Sequence, residues 1–322
     1  MRWVRSLCAA ICAAILALVS LTGLLTNVDT HALSDPSADH PFAVGERAVV
    51  LGGGGLTGQA WQIGMLKGLR DSGVDLTQAD LVIGTSGGSV AATQMRSGFL
   101  DAFYAALLGA PVLDSSLEDI DLAYFEETAR MWQGVESTEA LRIAVGSRAL
   151  EATQVIAEDA FIERTATRVG LNEWPALPLQ ITTVDVFDGT LRLIDHTQGI
   201  SIAEAVAAST AQPAIAAPIS LGSSRYMDGG LAGSPIDVAV GHRRVVALIP
   251  GGGLVTERAA AAARDEGVAL MLLGPDAESA QARGPVSQDP ARMRMSAEAG
   301  QRQGALVAGD VLAFWAGSAD GQ

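Results

Sequence analysis

The segment GTSGG, residues 84–88, constrains the fold of this chain more than any other stretch of its sequence. It follows an apolar run at 81–83 and precedes a segment in which apolar residues recur at helical spacing. A chain can turn this sharply from a buried strand into a helix only where side-chain bulk is small, and Gly84 and Gly88 meet that need. The pattern predicts a strand, a tight turn at Ser86 and a helix, which is a building unit of an α/β fold.

An earlier glycine loop predicts a second unit of the same kind. The apolar run AVVL at 48–51 leads into Gly53, Gly55 and Gly58, which have the spacing G-x-G-x-x-G, and residues 56–69 then show helical spacing. Dinucleotide-binding folds and acyl hydrolases both place such a loop after a strand, because both bring backbone N–H groups close to negative charge. The loop by itself is therefore compatible with a nucleotide-binding protein and with a hydrolase.

Residues 101–170 differ from their surroundings in having no convincing strand pattern. We interpret them as a helical insertion that could wall a substrate cleft, with breaks near Pro111 and Gly134. The insertion would lie within one domain at 47–322.

The remaining segments continue the α/β pattern. Two strand-like runs surround the turn FDG at 187–189, and the helical run SIAEAVAAST and the strand-like run RRVVALIP follow. The tail from Glu257 is rich in alanine, and we expect it to be helical except at 284–290. Together the elements predict a mostly parallel central sheet with helices around it.

The first 33 residues have the layout of a targeting segment. Arg2 and Arg5 precede an apolar run at 7–25, and small residues follow it, as in a secretory signal peptide. The run is long for a signal, so an uncleaved membrane anchor is the alternative. We expect 1–33 to be a signal peptide or anchor, 34–46 to be a polar linker, and the protein to be extracytoplasmic.

Composition excludes several partners and cofactors. A formal net charge of -15 would repel a phosphate backbone, and 5% aromatic residues leave few stacking surfaces, so we expect no nucleic-acid partner. The two cysteines, Cys8 and Cys12, lie in the N-terminal segment, and a cleaved chain would have no disulfide or cysteine-ligated metal. We expect no metal or organic cofactor, and the sequence carries no signal for an oligomeric state.

Ser86 has the setting of a nucleophile. A serine in G-x-S-x-G is held exposed above the sheet, and the helix after it directs its N-terminal dipole at a developing oxyanion. The alternative is a serine that only caps a helix. A nucleophilic serine also needs a base, and Asp228 in YMDGG, next to Met227, is a candidate carboxylate, although an Asp-Gly pair can also be a simple turn.

A histidine would be the more usual base, and the sequence has His31, His40, His196 and His242. Of these, only His242 follows Asp228 in the chain order of a Ser-Asp-His triad. Its neighbours in GHRR are two arginines, so we expect a solvated surface histidine there. The sequence therefore favours a serine–aspartate dyad.

The residues that follow the glycine loop favour an oxyanion hole over a dinucleotide site. A dinucleotide site would have an acid at the end of its second strand, about 20 residues past the glycines. Asp75 and Asp80 fall near that distance, but the strand after them ends in GTSGG. We therefore interpret the N–H groups of Gly53, Gly54 and Gly55 as an oxyanion hole, and keep a nucleotide-binding protein without hydrolase activity as the alternative.

These motifs resemble those of the patatin-like phospholipases. The resemblance covers GGGGLTG at 52–58, GTSGG at 84–88, DGG at 228–230 and AASTAQP at 207–213. It implies a three-layer α/β/α hydrolase with a mostly parallel sheet, which cleaves carboxylic esters of lipids, including lipids at a membrane surface. The site residues that it implies are the nucleophile Ser86, the base Asp228, the oxyanion-hole glycines Gly53, Gly54, Gly55 and Gly58, the elbow glycines Gly84 and Gly88, and the DGG glycines Gly229 and Gly230.

One position departs from the family pattern. Many members carry arginine or lysine in the glycine loop where this chain has Thr57. We expect the loss of that charge at the cleft mouth to make the site tolerant of neutral substrates rather than selective for anionic headgroups.

Overall fold

A computed structural model describes residues 45–109, 121–132 and 135–317. The predicted targeting segment and most of the linker, and the predicted breaks at Pro111 and Gly134, lie outside these ranges. Among the described helices, none combines the length and the apolar character that crossing a membrane requires.

The centre of the fold is an eight-stranded sheet. The strands are β1 (Arg47–Leu51), β2 (Leu81–Thr85), β3 (Leu179–Asp185), β4 (Leu191–Ile194), β5 (Ile219–Leu221), β6 (Ser224–Asp228), β7 (Arg244–Leu248) and β8 (Ala269–Leu273). Their order is β5-β6-β3-β2-β1-β7-β8, with β4 paired to β3. Strands β3, β2, β1, β7 and β8 are parallel, whereas β4, β5 and β6 form antiparallel pairs, so the sheet is mostly parallel as expected.

Helices cover both faces of this sheet. They are α1 (Gly55–Asp71), α2 (Gly87–Arg96), α3 (Leu100–Leu107), α4 (Leu122–Arg130), α5 (Glu139–Glu151), α6 (Glu158–Val169), α7 (Ile202–Thr210), α8 (Leu254–Asp265), α9 (Ala277–Arg283) and α10 (Met293–Ala316). Val49 and Leu51 of β1 pack in a core with α1, α2, α7 and α10, while Ala48 and Val50 face a second core with α8. Alternate residues of one strand thus enter different cores, which gives the predicted three-layer α/β/α fold.

Glycines allow α1 and α10 to pack at very short range. A Cβ atom at Gly64 or Gly68 would overlap a carbonyl oxygen of α10, and one at Gly300 or Gly304 would overlap a carbonyl oxygen of α1. Residue numbers rise in the same direction along both helices at these contacts, so the helices are parallel. The last residues of α10 reach the start of β7, where Gly317 lies against Arg244.

The C-terminal tail differs from the sequence prediction. It was expected to be helical apart from 284–290, but residues Ala269–Leu273 form β8, which extends the parallel sheet beside β7. The apolar run ALMLL has the length of a buried strand, and pairing with β7 supplies its backbone hydrogen bonds. The described parts of 101–170 form helices α3 to α6. Their assignment as an insertion, and the bounds 34–46 and 47–322, stay predictions.

Candidate active site

The candidate site lies where the parallel strands β1, β2, β3 and β7 end, which we call the carboxyl edge; the opposite end of these strands is the amino edge. The glycine loop follows β1, and the turn at Ser86 follows β2. Thr85 pairs with Thr182 of β3, and the next residue of β3, Thr183, pairs with Asp228. Ser86 and Asp228 therefore lie at the same level of the sheet, on either side of β3.

Ser86 occupies a strained turn. Its backbone has φ 53° and ψ -128°, and it shares a positive φ with only one other non-glycine residue of the described ranges, Ala214. A Cβ at Gly84 would lie 2.6 Å from the Ser89 Cα, and a Cβ at Gly88 would overlap the carbonyl oxygen of Leu51. Both glycines are thus required for the close approach of α2 to β1 and β2, as the sequence pattern predicted.

The Ser86 hydroxyl donates a hydrogen bond of 2.7 Å to Oδ2 of Asp228. The other oxygen, Oδ1, accepts the N–H of Gly230 at 2.8 Å, which fixes the carboxylate plane. Burial raises the pKa of Asp228 to about 6, and the hydrogen bonds from Gly230 and Ser86 limit that rise. Asp228 can therefore be ionised at neutral pH while being a stronger base than an ordinary aspartate.

The segment 207–213 holds both residues in place. Ser209 of α7 accepts the Ser86 N–H through its hydroxyl at 2.9 Å, and the Ala211 carbonyl accepts the Asp228 N–H at 2.9 Å. Ser209 is fully buried. The sequence motif AASTAQP indicates this segment. The structure shows which of its atoms contact Ser86 and Asp228.

The glycine loop packs directly against the turn at Ser86. A Cβ at Gly53 would lie 3.3 Å from the Ser86 Cβ and 3.9 Å from its Oγ, and a Cβ at Gly87 would overlap the carbonyl oxygen of Gly55. Within the described residues, the N–H groups of Gly53, Gly54 and Gly55 have no hydrogen-bond acceptor. The loop therefore carries three N–H groups without an acceptor, and its Gly53 adjoins the Ser86 side chain.

Gly58 does not fit the role that the sequence pattern gave it. Its N–H donates to the Gly54 carbonyl at 2.9 Å in the first turn of α1, so it is not free for an oxyanion. A Cβ at Gly58 would lie 3.0 Å from Pro250, which shows a packing role instead. Gly53, Gly54, Gly55 and Leu56 precede the first helical hydrogen bond of α1, which explains why their N–H groups have no acceptor among the described residues.

Thr57 also differs from the expectation. It was predicted to lie at the cleft mouth, but its side chain is fully buried, and its N–H donates to the Ser287 carbonyl at 3.0 Å. An arginine at this position would have to bury its charge, so we expect no gain in activity on anionic lipids from Thr57→Arg. A cation near the loop is Arg283, whose Nη2 would lie 3.7 Å from a Cβ at Gly58 and which donates to the Pro250 carbonyl at 2.6 Å.

The described histidines lie far from Ser86. His242 precedes β7 and therefore lies at the amino edge, and the five residues of β7 span about 13 Å. His196 follows β4, which runs antiparallel to β3, and so it also lies at the amino edge. His242 is only 7% exposed although its neighbours in the sequence are arginines, so the prediction of a solvated surface histidine was wrong.

The acids considered for a nucleotide site have other partners. Asp80 accepts the N–H of Arg47 at 2.9 Å, and Asp75 accepts the N–H of Thr77 at 2.8 Å. Asp80 precedes β2 and Arg47 begins β1, which places this contact at the amino edge. Among the residues that the structure describes, no group of histidine, cysteine, aspartate or glutamate side chains is arranged to hold a metal ion.

Comparison with a family model identifies the family to which this chain belongs. The sequence model described as patatin-like phospholipase matches residues 49–240, which is more than half of the chain and includes both Ser86 and Asp228. A search of curated proteins finds no match. Among solved structures, the type III effector protein ExoU matches with 17% identity and a TM-score of 0.33, over 82% of this chain and 54% of that chain. The present chain thus spans about half the length of that protein. Because the family model matches more than half of its length, the chain belongs to the patatin-like phospholipases, a family of lipid acyl hydrolases.

Proposed function

We propose that this protein is a serine acyl hydrolase that cleaves carboxylic ester bonds of lipids with a dyad of Ser86 and Asp228. The observation that carries the proposal is the hydrogen bond of 2.7 Å from the Ser86 hydroxyl to the Asp228 carboxylate at a strained strand-to-helix turn. A nucleophile and a base in direct contact are the minimum that acyl transfer requires.

The proposed reaction begins with attack of the Ser86 Oγ on the ester carbonyl carbon. Asp228 accepts the hydroxyl proton as the new C–O bond forms, and the carbonyl oxygen becomes an oxyanion facing the N–H groups of Gly53, Gly54 and Gly55. The intermediate then expels the alcohol, which takes the proton from Asp228. This leaves an acyl group on Ser86.

Hydrolysis of the acyl-enzyme repeats the same steps with water. Asp228 accepts a proton from the water as it attacks the acyl carbon, and the same donors face the second oxyanion. When this intermediate collapses, the carboxylic acid leaves and the proton returns to the Ser86 Oγ. The cycle needs no group beyond those of the chain and water.

The alternative of a nucleotide cradle in the glycine loop has less support. The N–H groups of Thr57 and Gly58 are already bonded to the carbonyls of Ser287 and Gly54, and Gly53, whose N–H has no acceptor, adjoins the Ser86 side chain. A diphosphate would lie against a serine and a carboxylate of raised pKa, and the negative charge of Asp228 would repel it.

A serine-directed fluorophosphonate tests the proposal. We expect the wild-type protein to be labelled at Ser86 and the Ser86→Ala variant to be unlabelled, with both folded as judged by circular dichroism. A panel of p-nitrophenyl esters, phosphatidylcholine, lysophosphatidylcholine and triacylglycerol would then identify the substrate class. Tight binding of a dinucleotide without labelling would overturn the proposal.

We further propose an extracytoplasmic location, with residues 1–33 as the signal peptide or anchor. Support comes from the sequence alone, in the two arginines that precede the apolar run at 7–25. N-terminal sequencing of the protein from fractionated cells tests it. A soluble cytoplasmic protein with an intact N-terminus would contradict it.

A further inference from the structure

A second glycine loop at the carboxyl edge ends in two exposed apolar side chains. Residues 251–253 follow β7, and Leu254 and Val255 form the first positions of α8. Leu254 is 67% exposed and Val255 is 47% exposed. Water is an unfavourable environment for side chains of this size, and their position at the start of a helix points them away from its packed turns.

This loop borders the candidate active site on two sides. A Cβ at Gly251 would lie 3.7 Å from the carbonyl oxygen of Gly53, which itself adjoins Ser86. A Cβ at Gly233, in the segment that follows Asp228 and its two glycines, would lie 3.8 Å from Val255 Cγ1. The two exposed side chains therefore lie on the β7 side of the Ser86–Asp228 pair.

A third apolar side chain lies at the same edge on the other side of Ser86. Phe187 is in the turn between β3 and β4 and is 56% exposed. In the sheet order, β2 and β1 lie between β3 and β7, so the two groups are separated by three strand spacings, or about 14 Å. The end of β2, with Ser86, is between them.

We propose that Leu254, Val255 and Phe187 form a membrane-contact surface that enters the headgroup region of a lipid aggregate and brings Ser86 to its substrate. The inference rests on the proposed lipid hydrolase function. The lipid surface that these side chains contact is neutral and zwitterionic, because the net charge of -15 opposes approach to an anionic surface. Exposed apolar side chains suit such a surface, since their binding depends on buried apolar area rather than on Coulombic attraction.

Leu306 provides a matched control on the opposite edge. It is 71% exposed on α10, close to Gly304, whose Cβ position meets the backbone of Leu69 near the end of α1. Because α1 starts at the carboxyl edge, this contact lies toward the amino edge. Leu306 is thus a similarly exposed leucine that lies toward the amino edge, away from the proposed surface.

The experiment places an environment-sensitive fluorophore at each leucine of the full chain. In a background of Cys8→Ser, Cys12→Ser and Ser86→Ala, the variants Leu254→Cys and Leu306→Cys are labelled with a nitrobenzoxadiazole dye and mixed with phosphatidylcholine vesicles. We expect the emission at position 254 to shift to shorter wavelength and the emission at 306 to stay unchanged. An unchanged emission at 254, or equal shifts at both positions, would overturn the proposal.

Two further measurements separate the possible outcomes. In otherwise wild-type protein, Leu254→Ser with Val255→Ser should lower the ratio of vesicle to soluble-ester hydrolysis by about tenfold or more, whereas Leu306→Ser should not change it. A shift at 254 that depends on protein concentration without vesicles would identify a second copy as the occupant and overturn the proposal. Because the fluorescence assay uses Ser86→Ala, it can succeed even if the proposed hydrolase function fails.

Discussion

Ser86 and Asp228 are 142 residues apart in the sequence, yet the hydroxyl of one donates a hydrogen bond of 2.7 Å to the carboxylate of the other. The pairing depends on β3, which lies between their strands, and on Ser209 and Ala211, which bind the two backbone N–H groups. A change in any of these supports would alter the geometry between nucleophile and base without removing either group.

The pH dependence of turnover should reflect Asp228. Its pKa is raised to about 6 by burial, so activity should fall as the pH drops below about 6, where the carboxyl group becomes protonated and can no longer accept the Ser86 proton. The measurement is kcat/KM on a soluble ester between acidic and neutral pH.

The pH at which activity falls does not by itself distinguish an aspartate base from a histidine base, because the reference pKa of histidine is about 6.5. The temperature dependence of that pH does distinguish them, because a carboxyl group ionises with almost no enthalpy change whereas an imidazolium ionises with a substantial one. We expect activity to fall at the same pH when the assay is repeated at several temperatures. A clear shift of this pH to lower values on warming would count against Asp228.

Asp228 should also lower the stability of the fold above its pKa. Its folded-state pKa is raised from 3.8 to about 6, so the folded state binds the proton more tightly, and the stability that this provides is lost as the pH rises through 6. We expect Asp228→Asn to increase the free energy of unfolding by about 2 kcal/mol at pH 8, and by much less at pH 4. Denaturant unfolding at both pH values measures this difference. An equal effect at both would show that ionisation is not its cause.

Gly54→Ala tests the oxyanion hole without changing Ser86 or Asp228. The new Cβ would lie 2.6 Å from the Pro250 Cβ, so the loop and its N–H groups would have to shift. We expect kcat to fall on the order of 100-fold, as for loss of one oxyanion donor. The control is Gly309→Ala, because a Cβ there meets no atom within 4 Å. Unchanged kcat in Gly54→Ala would remove the glycine loop from the mechanism.

The contact between α1 and α10 predicts a strong position dependence of glycine substitution. A Cβ at Gly304 would overlap the Met65 carbonyl oxygen, whereas Gly309 in the same helix faces open space. We expect Gly304→Ala to lower the free energy of unfolding by about 2–4 kcal/mol and Gly309→Ala to raise it by up to about 1 kcal/mol. Thermal and denaturant unfolding of both variants gives the comparison. Similar effects at the two positions would mean that the helices are not packed this closely.

Local sequence patterns predicted the elements around Ser86 well, because each depends on a few neighbouring residues. The apolar runs before Gly53 and Ser86 are buried on both faces of the sheet, as is typical of central strands. The glycines between each strand and the next helix occupy positions with too little space for a Cβ atom. The strand β8 was missed because its five apolar residues fit a buried helix as well as a strand, and only the pairing with β7 decides between them.

Properties that depend on distant packing could not be read from the sequence. His242 and Thr57 are both buried, and the Thr57 N–H donates to the carbonyl of Ser287, a residue far along the chain. The same holds for Gly58, whose N–H is used within α1 although its spacing matches an oxyanion loop. For Thr57 and Gly58, the fold determines which atoms remain available.

Turnover of three variants tests the central claim, the Ser86–Asp228 dyad, most directly. The variants are Ser86→Ala, Asp228→Asn and His242→Gln, where glutamine keeps a polar side chain at a buried position. Activity is measured as kcat on a soluble ester and divided by the folded fraction from circular dichroism. We expect the first two substitutions each to lower kcat by more than about 1000-fold and the third to leave it within about threefold of the wild type. Equal loss of activity in His242→Gln and Ser86→Ala, with both folded, would contradict the dyad.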